Sequence, residues 1–279
     1  RLFKIVRERV NDGSGAFTLL HQLEIMAQIY AALREPEHEY WIDRPECRPH
    51  IRALKLFRVH QPFPVLMTAY HHLERGEFQR LLKLVVAISY RYTVICGLNT
   101  NDLEPAYHEA AKGIADKRLH TAGQVFQKMR GIYVDDQKFV QDFALKRFES
   151  TSAQKKLAKY TLCQIESEYT KRDCDFETDT GTLEHILPEN PGEDWHETFA
   201  EERREQYVAR IGNLTLLEPS LNRRVGNEDF ASKRMVYAES RYQITRAIMD
   251  DRWLPAHLER RQMEMANAAA RIWRSDFEQ

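Results

Sequence analysis

A glutamate and a histidine stand side by side in the segment TGTLEHILPEN (180–190), as Glu184 and His185, with Pro188 closing the run. Further on come GNLTLL with Asn213, then Asn222, then the pattern N-x-x-F-x-x-K with Asn227 and Lys233. A neutral imidazole can take a proton from water near neutral pH. Amide and carboxylate oxygens favour a hard divalent cation such as Mg²⁺ or Mn²⁺, which stabilises charge on a phosphorane and on a leaving oxygen. The set therefore points to phosphodiester hydrolysis. His185 is the expected base, and Asn222, at a helix start, is the better ligand for a single divalent cation. Glu184 is the weaker ligand, because neighbours on a regular strand face opposite ways. Asn213 is expected to fix the loop and the histidine through backbone hydrogen bonds.

These residues need a strand, a loop, a second strand and a helix to bring them together, which is a ββα arrangement. The local sequence supplies the parts. DFETDTGTLEHILPEN has the threonines and alternation of a strand or two, and NLTLLEP is a short β-prone run stopped by Pro219. TFAEERREQYVARIG reads as a helix ended by Gly212, NEDFASKRMVYAESRYQITRAIM as one further helix, and LPAHLERRQMEMANAAARIWRS as a closing helix.

Upstream the chain reads as helices throughout. FTLLHQLEIMAQIYAALRE (17–35) places Leu19, Leu23, Met26, Ile29, Tyr30 and Leu33 on one face before Pro36 stops it. HIRALKLFRV, QPFPVLMTAYHHLERG with Gly76 as its end, EFQRLLKLVVAISYRYTVICGL, NDLEPAYHEAAKGIADKRL, DDQKFVQDFALKRF and SAQKKLAKYTLCQIESEYTKR follow. The expected fold is mainly α: a helical domain over 1–160, serving as linker or regulator, and a site-bearing domain over 161–279. The helical part offers little chemistry, and His71-His72 reads as a solvated helix face.

A chain of 279 residues with 43% hydrophobic and 30% charged residues is an ordinary globular composition with enough apolar residues for a real core. The formal net charge of −1 supplies no global pull toward nucleic acid, so any polyanion contact must be local. No apolar run reaches the roughly 18 residues of a membrane span, and RLFKIVRERV is too charged for a signal peptide. A start at Arg1 suggests a fragment of something longer. Cys47, Cys96, Cys163 and Cys174 form no C-x-x-C pair and suit buried thiols in a reducing cytoplasm. Cys47 and His50 have ligand-like spacing without a second pair. Neither H-E-x-x-H nor G-x-S-x-G is present, which argues against a peptidase.

Two residues near the site have competing readings. Asn227 is more simply the N-cap of EDFASKR than a ligand, and Lys233 is either a phosphate contact or a surface lysine. From 219 to 246 the six basic residues Arg223, Arg224, Lys233, Arg234, Arg241 and Arg246 face three acidic ones, Glu228, Asp229 and Glu239. That is a modest basic face suited to DNA backbone contacts, or else a mixed solvated surface.

The run LEHILPEN, then RIGNLTLLEPSLNRRVGNEDFASKRMVYAES, then W…HLERR…ANAAARIW resembles the HNH (His-Me finger) nuclease domain at the C-terminus of GmrSD-type modification-dependent restriction enzymes and of SspE-like phosphorothioate-linked defence nucleases. The resemblance is strong over 160–274 and weak in the helical part. It implies a small ββα-metal core surrounded by helices, with His185 as the catalytic histidine, Glu184 as the first acid, Asn213 as the middle position and Asn222 as the last. It also implies a metal-dependent DNA endonuclease, nicking or cutting both strands, that acts in the cytoplasm against phage or foreign DNA. Such proteins usually carry an N-terminal nucleotide-dependent sensor domain, whose motifs this chain lacks. Many HNH sites have histidine where this chain has Asn222, which implies weak metal affinity. Two rival readings are a catalytically silent DNA-binding or partner-docking module, and a ribonuclease toxin.

Overall fold

The computed structural model describes Val6, Val10 and residues 12–278. The charged opening stretch RLFKIVRERV otherwise lies outside the described residues. The chain divides into two compact units. One comprises residues 1–93, 98–133 and 275–279, the other residues 94–97 and 134–274.

The first unit is helical: α1 (Gly13–Arg34), α2 (Arg48–Phe57), α3 (Phe63–His72), α4 (Arg75–Ser89), α5 (Leu103–Ala115) and α6 (Ala122–Met129). Asp12 caps α1 by accepting a hydrogen bond from Gly15 N. The long apolar run after Glu77 forms the buried α4, with Phe78, Leu81, Leu82 and Val85 fully covered, and it ends in a π-type turn over Tyr90–Ile95. Gly76 does not end α3. That helix stops at His72, and Gly76 lies in the first turn of α4. α6 escaped the sequence reading because it is short, although Thr121 caps it.

The second unit holds α7 (Asp136–Phe143), α8 (Ser152–Thr170), β1 (Thr182–His185), α9 (Arg204–Val208), β2 (Leu214–Leu217), α10 (Pro219–Val225), α11 (Phe230–Tyr237), α12 (Gln243–Arg246) and α13 (Pro255–Ile272). β1 and β2 pair antiparallel, Thr182 opposite Leu217 and His185 opposite Leu214. α8 packs on both strands, and α13 packs on α7 and α8. α7 and α8 thus fall in this unit, whose main stretch is 134–274. Ile186, Leu187, Trp195, Phe199, Leu217, Phe230, Trp253 and Leu258 form its core.

Two helices are shorter than their sequences suggested. Over 198–212 only Arg204–Val208 is α-helical, flanked by 3₁₀ turns. Gly212 lies inside the turn Ile211–Asn213, where α13 passes so close that a Cβ would meet Leu258 O at 2.7 Å. The stretch 227–249 breaks after Tyr237. Glu218 accepts from Ser240 Oγ and Arg241 N, at 2.9 and 2.6 Å, and Glu166 of α8 accepts from Gln243 N and Ile244 N, both at 2.8 Å. Side chains from elsewhere thus satisfy the backbone at the break and start α12 afresh.

Candidate active site

His185 is the last residue of β1, and its imidazole lines a cleft of about 860 Å³. Glu184, Asn222, Asn227 and Lys233 line the same cleft, together with Ser150, Glu189 and three lysines of α8: Lys155, Lys156 and Lys159. The imidazole side chain is 17% exposed, and its Nε2 lies 3.6 Å from the Glu189 carboxylate. Burial pulls the His185 pKa below the usual histidine value, with the Glu189 charge acting against that. Glu189 also accepts a hydrogen bond from Ser150 Oγ, which together with His185 and Lys155 holds its carboxyl below the ordinary range. Sequence reading passed over Glu189. Its place four residues after His185, across the turn at Pro188, was the available signal.

Asn213 fixes the backbone beyond the histidine. It is fully buried at the start of β2. Its Oδ1 accepts from Leu187 N at 2.8 Å and from Trp253 Nε1 at 3.3 Å. Its Nδ2 donates to Leu187 O at 2.9 Å and to Val208 O at 3.1 Å. Ile186 N donates to Asn213 O at 2.9 Å. One side chain therefore saturates both backbone groups of Leu187, two residues from the imidazole, where an apolar residue would leave them unpaired in the core. Asn213 is not among the residues that line the cleft, and its bonds run to the chain just beyond the histidine.

Asn222 lies on α10 and donates from Nδ2 to Thr182 Oγ1 at 2.8 Å and to Leu183 O at 3.1 Å. A carbonyl can only accept, so these bonds fix which end of the amide is nitrogen. They tie α10 to β1.

Glu184 and Lys233 sit in surroundings that the sequence did not suggest. Lys233 Nζ donates to Glu184 Oε1 at 2.6 Å and to His185 O at 2.8 Å, and Tyr237 Oη donates to Glu184 Oε1 at 2.8 Å. The two charged side chains are 6% and 1% exposed. Burial raises the Glu184 pKa and lowers that of Lys233 against their mutual attraction, so desolvation outweighs the pairing on both sides. Lys233 is thus neither a surface lysine nor a free phosphate contact. It ties α11 to the end of β1. The Glu184 carboxylate is already engaged by two donors.

The remaining expectations need correction. Asp229, not Asn227, caps α11: its Oδ1 accepts from Ser232 N at 2.9 Å, and Asn227 is exposed at the cleft rim. The basic face over 219–246 is largely spent on acids. Arg224 pairs with Glu239 at 2.6 Å, Arg234 with Asp251 at 2.5 Å and Arg241 with Asp179 at 3.0 Å. Arg223 and Arg224 are exposed and do not line the cleft. Beside the buried Lys233, the lysines that line it come from α8, at i, i+1 and i+4.

Among the described residues no three His, Cys, Asp or Glu side chains come together in a way that could hold a metal ion. The donors near His185 fit at most a cation held mainly by water and substrate oxygens, which is how a small hard cation is often bound.

Residues 133–268 match the model of the family described as GmrSD restriction endonucleases, C-terminal domain. This segment belongs to that family, and its start lies within one residue of the 134–274 stretch of the second compact unit. A search among curated proteins found no match. No helix among the described residues is long and apolar enough to cross a membrane.

Proposed function

We propose that this chain is a metal-dependent DNA endonuclease of the HNH type, with β1, β2 and α10 as its ββα unit. The observation that carries the reading is the placement of His185 in the wall of a lysine-lined cleft, within a segment of a restriction-endonuclease family. His185 takes a proton from the attacking water. Glu189, beside Nε2, holds the ring in place and stabilises its protonated form. Asn213 sets the ring's position through Leu187, and Lys233 does so through the His185 carbonyl. Asn222 Oδ1 would hold the Mg²⁺ or Mn²⁺, whose contribution when bound is to stabilise negative charge on the phosphoryl and leaving oxygens. In this reading Glu184 acts by holding Lys233 and not as a metal ligand. The biological setting proposed is defence against foreign DNA, with recognition supplied by a sensor domain outside this chain.

Supercoiled plasmid with Mg²⁺ or Mn²⁺ tests the reading, wild type beside His185→Ala. The expected result is nicking or linearisation by wild type that falls at least about a hundredfold in the variant, the usual worth of a positioned base. Equal cleavage by both proteins would remove His185 from the mechanism. A structured RNA cut faster than plasmid under the same conditions would select the ribonuclease reading.

A further inference from the structure

We propose that Lys155, Lys156 and Lys159 on the edge of α8 form the wall that holds the phosphate backbone of the strand presented to His185. This rests on the nuclease reading above and names the substrate surface of that same site.

The charge balance inside the cleft carries the argument. Four lysines and two glutamates line it. Lys233 and Glu184 neutralise one another in their buried pair. Glu189 is shared between Ser150, His185 and Lys155, the last at 4.0 Å. Lys159 Nζ donates to the neutral carbonyl of Asp179 at 2.7 Å and so keeps an uncompensated charge. Lys156 is exposed and has no ion pair or hydrogen bond among the described residues. The α8 wall is therefore left positive while the whole chain carries a net charge of −1.

The arrangement of those charges indicates the ligand. Lys155 and Lys159 lie one helical turn apart, about 5–6 Å between Cβ atoms, with Lys156 beside them. Cations in a row along a helix edge match successive phosphates of a strand. A single phosphate would leave most of a cleft of about 860 Å³ unfilled. Ammonium groups on flexible stems act as point charges and read no base, so this wall positions the strand without sequence preference.

The test is fluorescence anisotropy with a fluorescein-labelled DNA duplex of arbitrary sequence, titrated across salt. The protein is the full chain carrying His185→Ala, so that no cleavage intervenes. It is compared with the same protein carrying Lys155→Gln and Lys156→Gln. Both lysines are exposed, and glutamine keeps the helix propensity. The control is Lys171→Gln, at the far end of α8. The expected result is a salt slope shallower by about 2, and affinity roughly tenfold weaker per lysine near 0.1 M salt. The control should leave both unchanged. An unchanged slope in the double variant, or no binding by the parent protein, overturns the proposal. Plasmid nicking by otherwise wild-type protein is scored separately. Nicking with an unchanged slope refutes the lysine wall alone. A lysine-dependent slope without nicking refutes the nuclease reading and leaves the wall as a phosphate-binding surface.

Discussion

The buried pair of Glu184 and Lys233 offers the sharpest test of how the site is held together. Replacing Lys233 with Met leaves a carboxylate 6% exposed, with Tyr237 as the remaining donor to its Oε1. That carboxyl can escape by taking a proton. From its ordinary value of 4.5, protonation at pH 7 costs about 3.5 kcal/mol. Replacing Glu184 with Gln strands the ammonium instead, and neutralising it from 10.5 costs about 5 kcal/mol. These are ceilings, because water entry or the bond from Lys233 to His185 O offers cheaper routes, and they agree with the roughly 3–5 kcal/mol typical of a broken buried pair. The double variant Glu184→Gln/Lys233→Met has no charge left to strand and should return to within about 2 kcal/mol of wild type. The assay is urea unfolding followed by tryptophan fluorescence, since Trp195, Trp253 and Trp273 lie in the second unit. The Lys233→Met deficit should also shrink with acid. A stranded carboxyl has a folded pKa above its unfolded one, so stability is complete below about 4.5 and is lost as pH rises. Single-variant deficits that simply add in the double variant, or a Lys233→Met deficit that ignores pH, would refute the electrostatic account.

Three further outcomes follow from the same geometry. Asn213→Ala removes the partners of Leu187 N, Leu187 O and Val208 O, and should cost about 3 kcal/mol or more by urea unfolding. On the proposed mechanism, plasmid nicking should also fall at temperatures where the variant stays folded. Gly212→Ala drives a Cβ to 2.7 Å from the backbone oxygen of Leu258, which cannot swing aside, and should cost about 1–3 kcal/mol in the same assay. His50 is pushed down to about 4 by burial, with Lys83 adding to the effect. Its folded pKa is below the unfolded value, so its contribution is complete above pH 6.5 and is lost as pH falls toward 4. Wild type should therefore be about 2 kcal/mol less stable at pH 5 than at pH 8 through this residue alone, and His50→Leu should flatten that part of the profile.

The backbone of the site was legible from sequence because its signals are local. Pro219 stops β2 and opens α10, and alternation marks β1. The side-chain partnerships were not legible, because each spans many residues. Lys233 meets Glu184 across 49 positions, and Gln262 donates to Phe143 O across 119. No periodicity in a 10-residue window encodes such pairs. The break between α11 and α12 escaped for the same reason, since Glu166 is brought there only by the packing of α8.

The cations of the cleft make that limit functionally significant. In the sequence, the arginines at 223 and 224 stand nearest the proposed site and look like its basic face. In the fold, Arg224 is paired with an acid and neither arginine lines the cleft. Lys155, Lys156 and Lys159 precede His185 by some 26–30 positions, on a segment whose sequence signals only a helix. They become part of the site because α8 packs on both strands and its first two turns line the same cleft as His185. A nuclease needs both a base and a rail for its polyanion. In the proposed mechanism the base is announced by a local motif, whereas the proposed rail exists only once tertiary packing has placed one helix edge beside that motif.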